Sequence, residues 1–364
     1  MKILLVGGGS VGSIAPLLSV KRYLEKQDHK IQFIYFGSKS GPERELVEKE
    51  KIAYYSIPAG KWRRYFSLKN IFDVFVTLTG FFIALAKLKR LRPDLMLSAG
   101  SFVSVPVASS AKLLGIKIVI HQQDLQPSLS NKIIYPFCDK LTVSLPESQK
   151  LFFQGLGLLK RRSKAISKIV LTGNPVRADL DLGDKKRAIK FFSLNTELPV
   201  LLVLGGSTGA EGLNKLIVGA LEPLTKVFQI IHVTGKNKTS KTAQNSNYHA
   251  FEFLSSEFPD AIKIADIVLS RAGFSTITEL AYCKKMSVII PMPNSHQEDN
   301  GQYLFSKRAA IILRQDGVTS ENLTTFLRKL IFEYNLQKIV IKNISKLMPK
   351  NSAERIGKVI LNII

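Results

Sequence analysis

The chain has 364 residues, 45% of them hydrophobic, with 52 basic and 28 acidic side chains and a formal net charge of +24. That length is long for one core and nothing in it is low-complexity, so two folded domains are expected. Two cysteines, Cys138 and Cys283, exclude a disulfide framework and a cysteine metal cluster and fit a reducing compartment; the charge calls for a polyanion, an anionic membrane surface or acidic substrates.

In chain order, Lys2–Val6 reads as a strand with no apolar signal-peptide core before it, so export is not expected. Gly7-Gly8-Gly9-Ser10-Val11-Gly12-Ser13 makes a strand-to-helix turn, followed by a helix from about Ile14 to Lys26. Further strands are expected at Ile31–Phe36, Leu95–Ser98, Lys117–Ile120 and Lys140–Val143. Ile71–Ala86 is apolar nearly all round, but at 16 residues with one acid it is short of the ~20 that span a bilayer. A core helix is one reading of it. Basic flanks (Lys61, Arg63, Arg64 and Lys69 before, Lys87, Lys89, Arg90 and Arg92 after) favour another. With Trp62, Tyr65, Phe72, Phe75, Phe81 and Phe82, they suit peripheral contact with an anionic leaflet, each near-surface charge contributing about 1 kcal/mol.

The boundary is placed in Lys160–Arg177, where a basic loop and Thr172-Gly173-Asn174-Pro175 break the apolar pattern. This gives domains 1–165 and 166–350, with a final helix in 351–364 able to pack back on the first. The second half restarts with a strand at Pro199–Leu204, the turn Gly205-Gly206-Ser207-Thr208-Gly209-Ala210 and a helix. Strands near Gln229–Val233, Ile267–Leu269 and Val288–Ile290 follow, the second at the end of an apolar run from Ile264 that reads as buried strand. Strand, glycine turn and helix recurring in each half indicate an α/β protein of two doubly wound, Rossmann-like domains.

Most glycine turns simply make a corner. No acidic residue ends the second strand, so the dinucleotide fingerprint is not met, and the P-loop pattern is absent from both turns. Ser270-Arg271-Ala272-Gly273-Phe274-Ser275-Thr276-Ile277-Thr278-Glu279 is more telling. A strand ending in small residues and opening a helix points backbone N–H groups at an anion, and Glu279 could accept bonds from a sugar diol. The plainer alternative is a capping box, Thr276-x-x-Glu279.

Together these pieces resemble the bacterial MurG family of N-acetylglucosaminyltransferases, which convert lipid I to lipid II in peptidoglycan synthesis. The likeness runs through Gly7–Pro16, Gly60–Tyr65, Ser104–Val107, His121–Lys132, Gly173–Arg177, Gly205–Asn214, Ser270–Glu279 and His296–Asn300. It implies the GT-B architecture, with two domains facing a central cleft, the acceptor on the N-terminal one and UDP-GlcNAc on the C-terminal one. It implies inverting transfer without a metal or other cofactor. The partners it implies are UDP-GlcNAc, a polyprenyl-diphosphate-linked MurNAc-peptide and the cytoplasmic face of the plasma membrane. Nucleic acid is not among them, since the basic residues are spread and form no recognition module.

By matching motif, the donor would be held by Ser207, Thr208, Gly209, Leu254 (backbone, to uracil), Arg271, Gly273, Ser275, Thr276, Glu279, His296 and Gln297. The acceptor would meet Gly9, Ser10, Gly12, Ser13, Asn131 and Arg177. The first loop departs from the family pattern: Ser13 stands where the family has a histidine that is a leading candidate for the base, and Val11 replaces a glycine. Serine alone is no base near neutral pH, so His121 and Asp124 become the candidates, each with a bland alternative: a structural imidazole and a helix cap. In the same stretch Gln122 replaces a glutamate and Ser128 a glycine. Two other possibilities stand beside the lipid I transferase: a related UDP-sugar transferase with a different acceptor, and a non-catalytic UDP-sugar-binding homologue.

Overall fold

The computed structural model describes residues 1–9, 11–41, 43–61, 69–154, 167–195, 197–205, 210–238 and 245–364. Ser10, Trp62, Tyr65, Ser207, Thr208 and Gly209 lie outside the described residues. The chain divides into two compact units, Met1–Arg177 with Pro349–Ile364, and Ala178–Met348.

The first unit runs β1 (Lys2–Val6), α1 (Ala15–Gln27), β2 (Gln32–Gly37), α2 (Glu43–Lys49), β3 (Ala53–Ser56), α3 (Lys69–Leu91) and β4 (Leu95–Ser98). It continues through α4 (Ser104–Leu113), β5 (Lys117–Gln122), α5 (Leu129–Ile134), β6 (Lys140–Val143), α6 (Pro146–Gln154) and β7 (Ile169–Leu171). All seven strands are parallel, in the order β3-β2-β1-β4-β5-β6-β7. Helices cover both faces, so each strand is apolar on both sides, and alternate residues feed two cores. Leu4, Val6 and Met96 pack with Ala84 of α3, Val107 of α4 and Phe152 of α6. Ile3, Leu5 and Leu97 pack with Leu17 and Val20 of α1 on the other face.

The second unit runs α7 (Lys185–Phe192), β8 (Val200–Leu204), α8 (Glu211–Gly219), α9 (Leu221–Thr225), β9 (Gln229–Val233), β10 (Tyr248–Phe251) and α10 (Phe258–Ile264). Then come β11 (Ile267–Ser270), α11 (Phe274–Tyr282), β12 (Met286–Ile289), α12 (Gln297–Ser306), β13 (Ile311–Ile312), α13 (Ser320–Leu330) and α14 (Tyr334–Ile344). Its six strands are also parallel, ordered β10-β9-β8-β11-β12-β13.

The last helix, α15 (Ser352–Leu361), returns to the first unit and packs on α1. Ile356 and Ile360 join the core beside Leu17 and Leu24. Gly357 lies so close to α1 that a Cβ there would stand 2.5 Å from the Tyr23 ring.

Several expectations need correction. β7 pairs with β6, and the first unit runs to Arg177, the far end of the Lys160–Arg177 stretch, twelve residues past 165. The apolar run from Ile264 is split, because Ile264 ends α10 and the strand starts at Ile267. β5 continues to Gln122, which puts His121 inside the sheet. The edge strands β3, β7, β10 and β13 were not expected at all.

Candidate functional site

In a doubly wound sheet the strand order reverses at one point, and ligands bind beyond the carboxyl ends of the strands there. The reversals fall between β1 and β4 in the first unit and between β8 and β11 in the second.

In the second unit, β11 ends at Ser270, and Arg271-Ala272-Gly273 turns into α11. The N-cap of α11 is Gly273 in an extended conformation, and open space faces the position of its absent Cβ. First-turn amides lie outside the intrahelical ladder and carry the positive end of the helix dipole. Thr276 is therefore the third residue of the helix and Glu279 the sixth, so this pair is not a capping box. Ser275, Thr276 and Glu279 are all partly exposed.

Arg271 is 9% exposed. Its guanidinium donates to the carbonyls of Ile290 (3.1 Å) and Pro291 (3.2 Å) and to the Gln315 side chain. All three acceptors are neutral, and burial draws its pKa below the ordinary arginine value. A buried cation whose partners carry no charge leaves positive potential at the sheet edge. Asn300, 1% exposed, braces the turn by donating from Nδ2 to the Ala272 carbonyl at 3.0 Å. Gln297 opens α12 and its Oε1 accepts from the Met292 N–H (3.1 Å), while His296 is exposed at the N-cap. Leu254 is buried beyond β10, next to Phe253, which is 58% exposed.

The first unit treats its edge differently. Glu43, at the start of α2, is fully buried. Its carboxylate accepts from the Gly9 N–H (3.3 Å), the Ser38 N–H (2.8 Å), the Ser38 hydroxyl and the Tyr54 hydroxyl (3.4 Å). The Phe102 ring closes over Gly9, whose φ of +87° suits glycine. Ser13 ends a short 3₁₀ turn (Val11–Ser13) that also contains Gly12, and it is 8% exposed. Arg177 closes this unit, partly exposed.

His121 is 1% exposed and both ring nitrogens are engaged, Nδ1 with Thr142 Oγ1 (2.8 Å) and Nε2 with Asn174 Oδ1 (2.9 Å). Burial lowers its pKa to about 4. As the amide oxygen can only accept, Nε2 carries the proton and the ring ties β5 to β6 and the 172–177 loop. This geometry fits the alternative of a structural imidazole at His121. His232 on β9 repeats the arrangement, with Tyr248 Oη (2.9 Å) and Asn214 Oδ1 (3.1 Å), and burial lowers it to about 4 as well.

Gln122 explains the loop after β5. Its amide donates to the carbonyls of Asp124 (3.0 Å) and Gln126 (2.8 Å), and its oxygen accepts from the Ser128 N–H (3.1 Å) and Asn131 Nδ2 (2.8 Å). A carboxylate could not make the first two bonds. Ser128, not Asp124, caps α5, its hydroxyl accepting from the Asn131 N–H at 3.2 Å. Asp124 sits at the carboxyl edge, partly exposed, its carbonyl also receiving the Ser148 hydroxyl at 3.3 Å. Asn131 is 1% exposed, and its Oδ1 has no hydrogen-bond partner among the described residues.

α3 is neither wholly a core helix nor a spanning one. Ala84 and Leu88 are buried, whereas Phe72 (69%), Phe75 (64%), Leu78 (51%) and Phe82 (59%) are exposed; Phe81 is half-buried against Phe82. Among the described residues no helix is long and apolar enough to cross a membrane. A cavity of about 520 Å³ in the second unit, lined by Lys185, Asp266, Lys285 and Tyr334 among others, lies at the amino ends of β8, β11 and β12, opposite the edge that carries Arg271.

Glu43 and Gln315 were missed by sequence reasoning. A glutamate opening a helix after Gly41-Pro42 looks like ordinary dipole compensation, and Gln315 lies 44 residues from Arg271.

Residues 3–143 match the glycosyltransferase family 28 N-terminal domain, and residues 200–356 its C-terminal domain. A Clostridium botulinum protein named UDP-N-acetylglucosamine--N-acetylmuramyl-(pentapeptide) pyrophosphoryl-undecaprenol N-acetylglucosamine transferase is 35% identical over 99% of this chain and 98% of its own length. Its namesake from Clostridium perfringens is 36% identical over 100% of this chain and 96% of its own. Among solved structures, Acinetobacter baumannii MurG superposes with a TM-score of 0.72 at 22% identity, covering 99% of both chains, which speaks to the fold.

Proposed function

The chain belongs to glycosyltransferase family 28 and to its MurG members, and from that membership we infer the reaction and assign its parts. The protein is a hexosyltransferase that moves GlcNAc from UDP-GlcNAc to undecaprenyl-diphospho-MurNAc-pentapeptide, forming lipid II from lipid I. The observation that carries this is identity of 35% sustained over 99% of the chain with relatives of that activity.

The second unit is assigned the donor. The amino end of α11 faces the diphosphate, Glu279 accepts from the ribose hydroxyls, and Arg271 supplies positive potential as charge gathers on departing UDP. Leu254, His296 and Gln297 complete that side, with Ser207, Thr208 and Gly209 of the second glycine turn. The first unit is assigned the acceptor, through Gly9, Ser10, Gly12, Ser13, Asn131 and Arg177. An acceptor sugar hydroxyl attacks the anomeric carbon, the bond from that carbon to the diphosphate oxygen breaks, and the hydroxyl proton leaves to a base. With both nitrogens of His121 engaged, Asp124 is the better assignment for that base. A carboxylate at a sheet edge can take a proton that the Ser13 hydroxyl cannot.

The reaction uses a membrane-anchored acceptor. We assign the protein to the cytoplasmic face of the plasma membrane as a peripheral protein, held by the exposed Phe72, Phe75 and Phe82 of α3 together with Trp62 and Tyr65 and the basic flanks.

The test is transfer of labelled GlcNAc from UDP-GlcNAc to a lipid I analogue in the presence of a chelator, for the wild type and for Asp124→Asn. Turnover in the wild type and its loss in a folded Asp124→Asn that still binds UDP-GlcNAc are expected. A wild type that binds UDP-GlcNAc but transfers nothing would overturn the activity. An Asp124→Asn variant with full turnover would remove the base assignment alone.

A further inference from the structure

The second unit carries an apolar surface that none of the assignments above uses. α14 turns Val340 and Ile344 into the core. Phe332, just before the helix, and Leu336 and Ile339 upon it are 71%, 39% and 47% exposed. Leu336 and Ile339, three residues apart on the helix, share one face of it, and Phe332 precedes it in the turn after α13. Lys338 and Lys342 on the helix and Lys346 just after it are all exposed, and Tyr334, 64% exposed, stands at the helix start. Between residues 328 and 350 there are six basic side chains (Arg328, Lys329, Lys338, Lys342, Lys346, Lys350) and one acid, Glu333. Asn343 Nδ2 donates to the Arg308 carbonyl at 3.1 Å, and Arg308 is itself exposed.

We propose that this face of α14 is a second contact with an anionic bilayer surface, made by the C-terminal unit and separate from that of α3. The proposal rests on the reading that the enzyme works at a membrane. Charge selects this occupant over a protein. Lysine is depleted at protein interfaces, and three apolar side chains are few for the roughly 1,000 Å² that a specific interface buries. At a lipid surface the same composition is favourable: aromatic and aliphatic groups enter the headgroup boundary, while lysine stems lie along it and their ammonium groups reach lipid phosphates.

The experiment is sedimentation of the full-length protein with vesicles of phosphatidylcholine containing 30% phosphatidylglycerol. It compares wild type, Lys338→Gln/Lys342→Gln, Leu336→Ser/Ile339→Ser and the α3 variant Phe75→Ser/Phe82→Ser. A near-surface cation contributes about 1 kcal/mol, or about fivefold, so the double lysine variant should bind roughly 25-fold more weakly. The Leu336→Ser/Ile339→Ser variant should also weaken, and both α14 variants should keep wild-type transfer to a short-chain, water-soluble acceptor. If they bind vesicles as the wild type does while the α3 variant does not, the proposal is overturned and the α3 contact stands. If the wild type fails to bind anionic vesicles, the membrane reading falls and takes this proposal with it.

Discussion

The two switch points are built alike and finished in opposite ways. In the first unit a buried carboxylate, Glu43, already sits against the backbone N–H of the glycine turn. In the second a buried guanidinium, Arg271, donates to neutral acceptors among the described residues, and an open helix start lies two residues on. One edge brings its own anion and the other awaits one. On the assignment proposed above, the donor diphosphate goes to the edge that carries the cation. What differs is where a single charge is placed.

The largest expected effect tests what the halves share. His121 and His232 have folded pKa values lowered by burial to about 4, against about 6.5 when unfolded. A base held neutral in the fold binds its proton only on unfolding. Its contribution is therefore whole above pH 6.5 and is lost as pH falls towards 4, on the order of 3 kcal/mol for each histidine. Chemical denaturation between pH 7.5 and 4 should show this slope, and His232→Gln should flatten it in the second unit alone. A flat stability profile would show that the imidazoles are not held neutral.

Next comes Arg271→Met, which removes the uncompensated charge. A fall in kcat/KM of roughly 10²–10³ is expected, the scale of one preorganised electrostatic contact. Unchanged UDP affinity and turnover would erase the contrast between the two edges. Glu279→Ala should act on binding instead, raising KM for UDP-GlcNAc by about 10- to 100-fold with little change in kcat. Calorimetric titration with UDP checks it, and an unaltered affinity would remove the ribose assignment. Smallest is Glu43→Gln, which keeps the shape but replaces two acceptor oxygens by one. About 1–2 kcal/mol of stability should be lost, with UDP affinity untouched. A loss of UDP affinity there would mean that the two edges are not independent.

Much of the frame was legible from residues alone. Lys2–Val6, Leu95–Ser98, Lys140–Val143 and Gln229–Val233 are strands to the residue, because a strand covered on both faces leaves an unbroken apolar run between turn residues. The edge strands escaped for the converse reason: Ala53-Tyr54-Tyr55-Ser56 and Tyr248-His249-Ala250-Phe251 are short, half-covered and polar enough to pass for loop. At the site, the turn into α11 and Glu279 could be read from spacing. The fate of His121 could not, since its partners Thr142 and Asn174 lie 21 and 53 residues away. Nor could the burial of Glu43, or which side of α3 faces out, as a sixteen-residue run that is apolar nearly all round carries no sign of which of its residues neighbours will cover.

α15 has a consequence for the order in which the protein is made. Domains ordinarily fold from the amino terminus as they leave the ribosome. Here Ile356 and Ile360 are needed to fill the core around Leu17 and Leu24, so the half that emerges first still lacks part of its interior until residue 360 has been added. The Ala178–Met348 unit is continuous in sequence and can close as soon as it is free. The nascent first unit is therefore the later of the two to be sealed, and it carries the exposed phenylalanines of α3 throughout that wait.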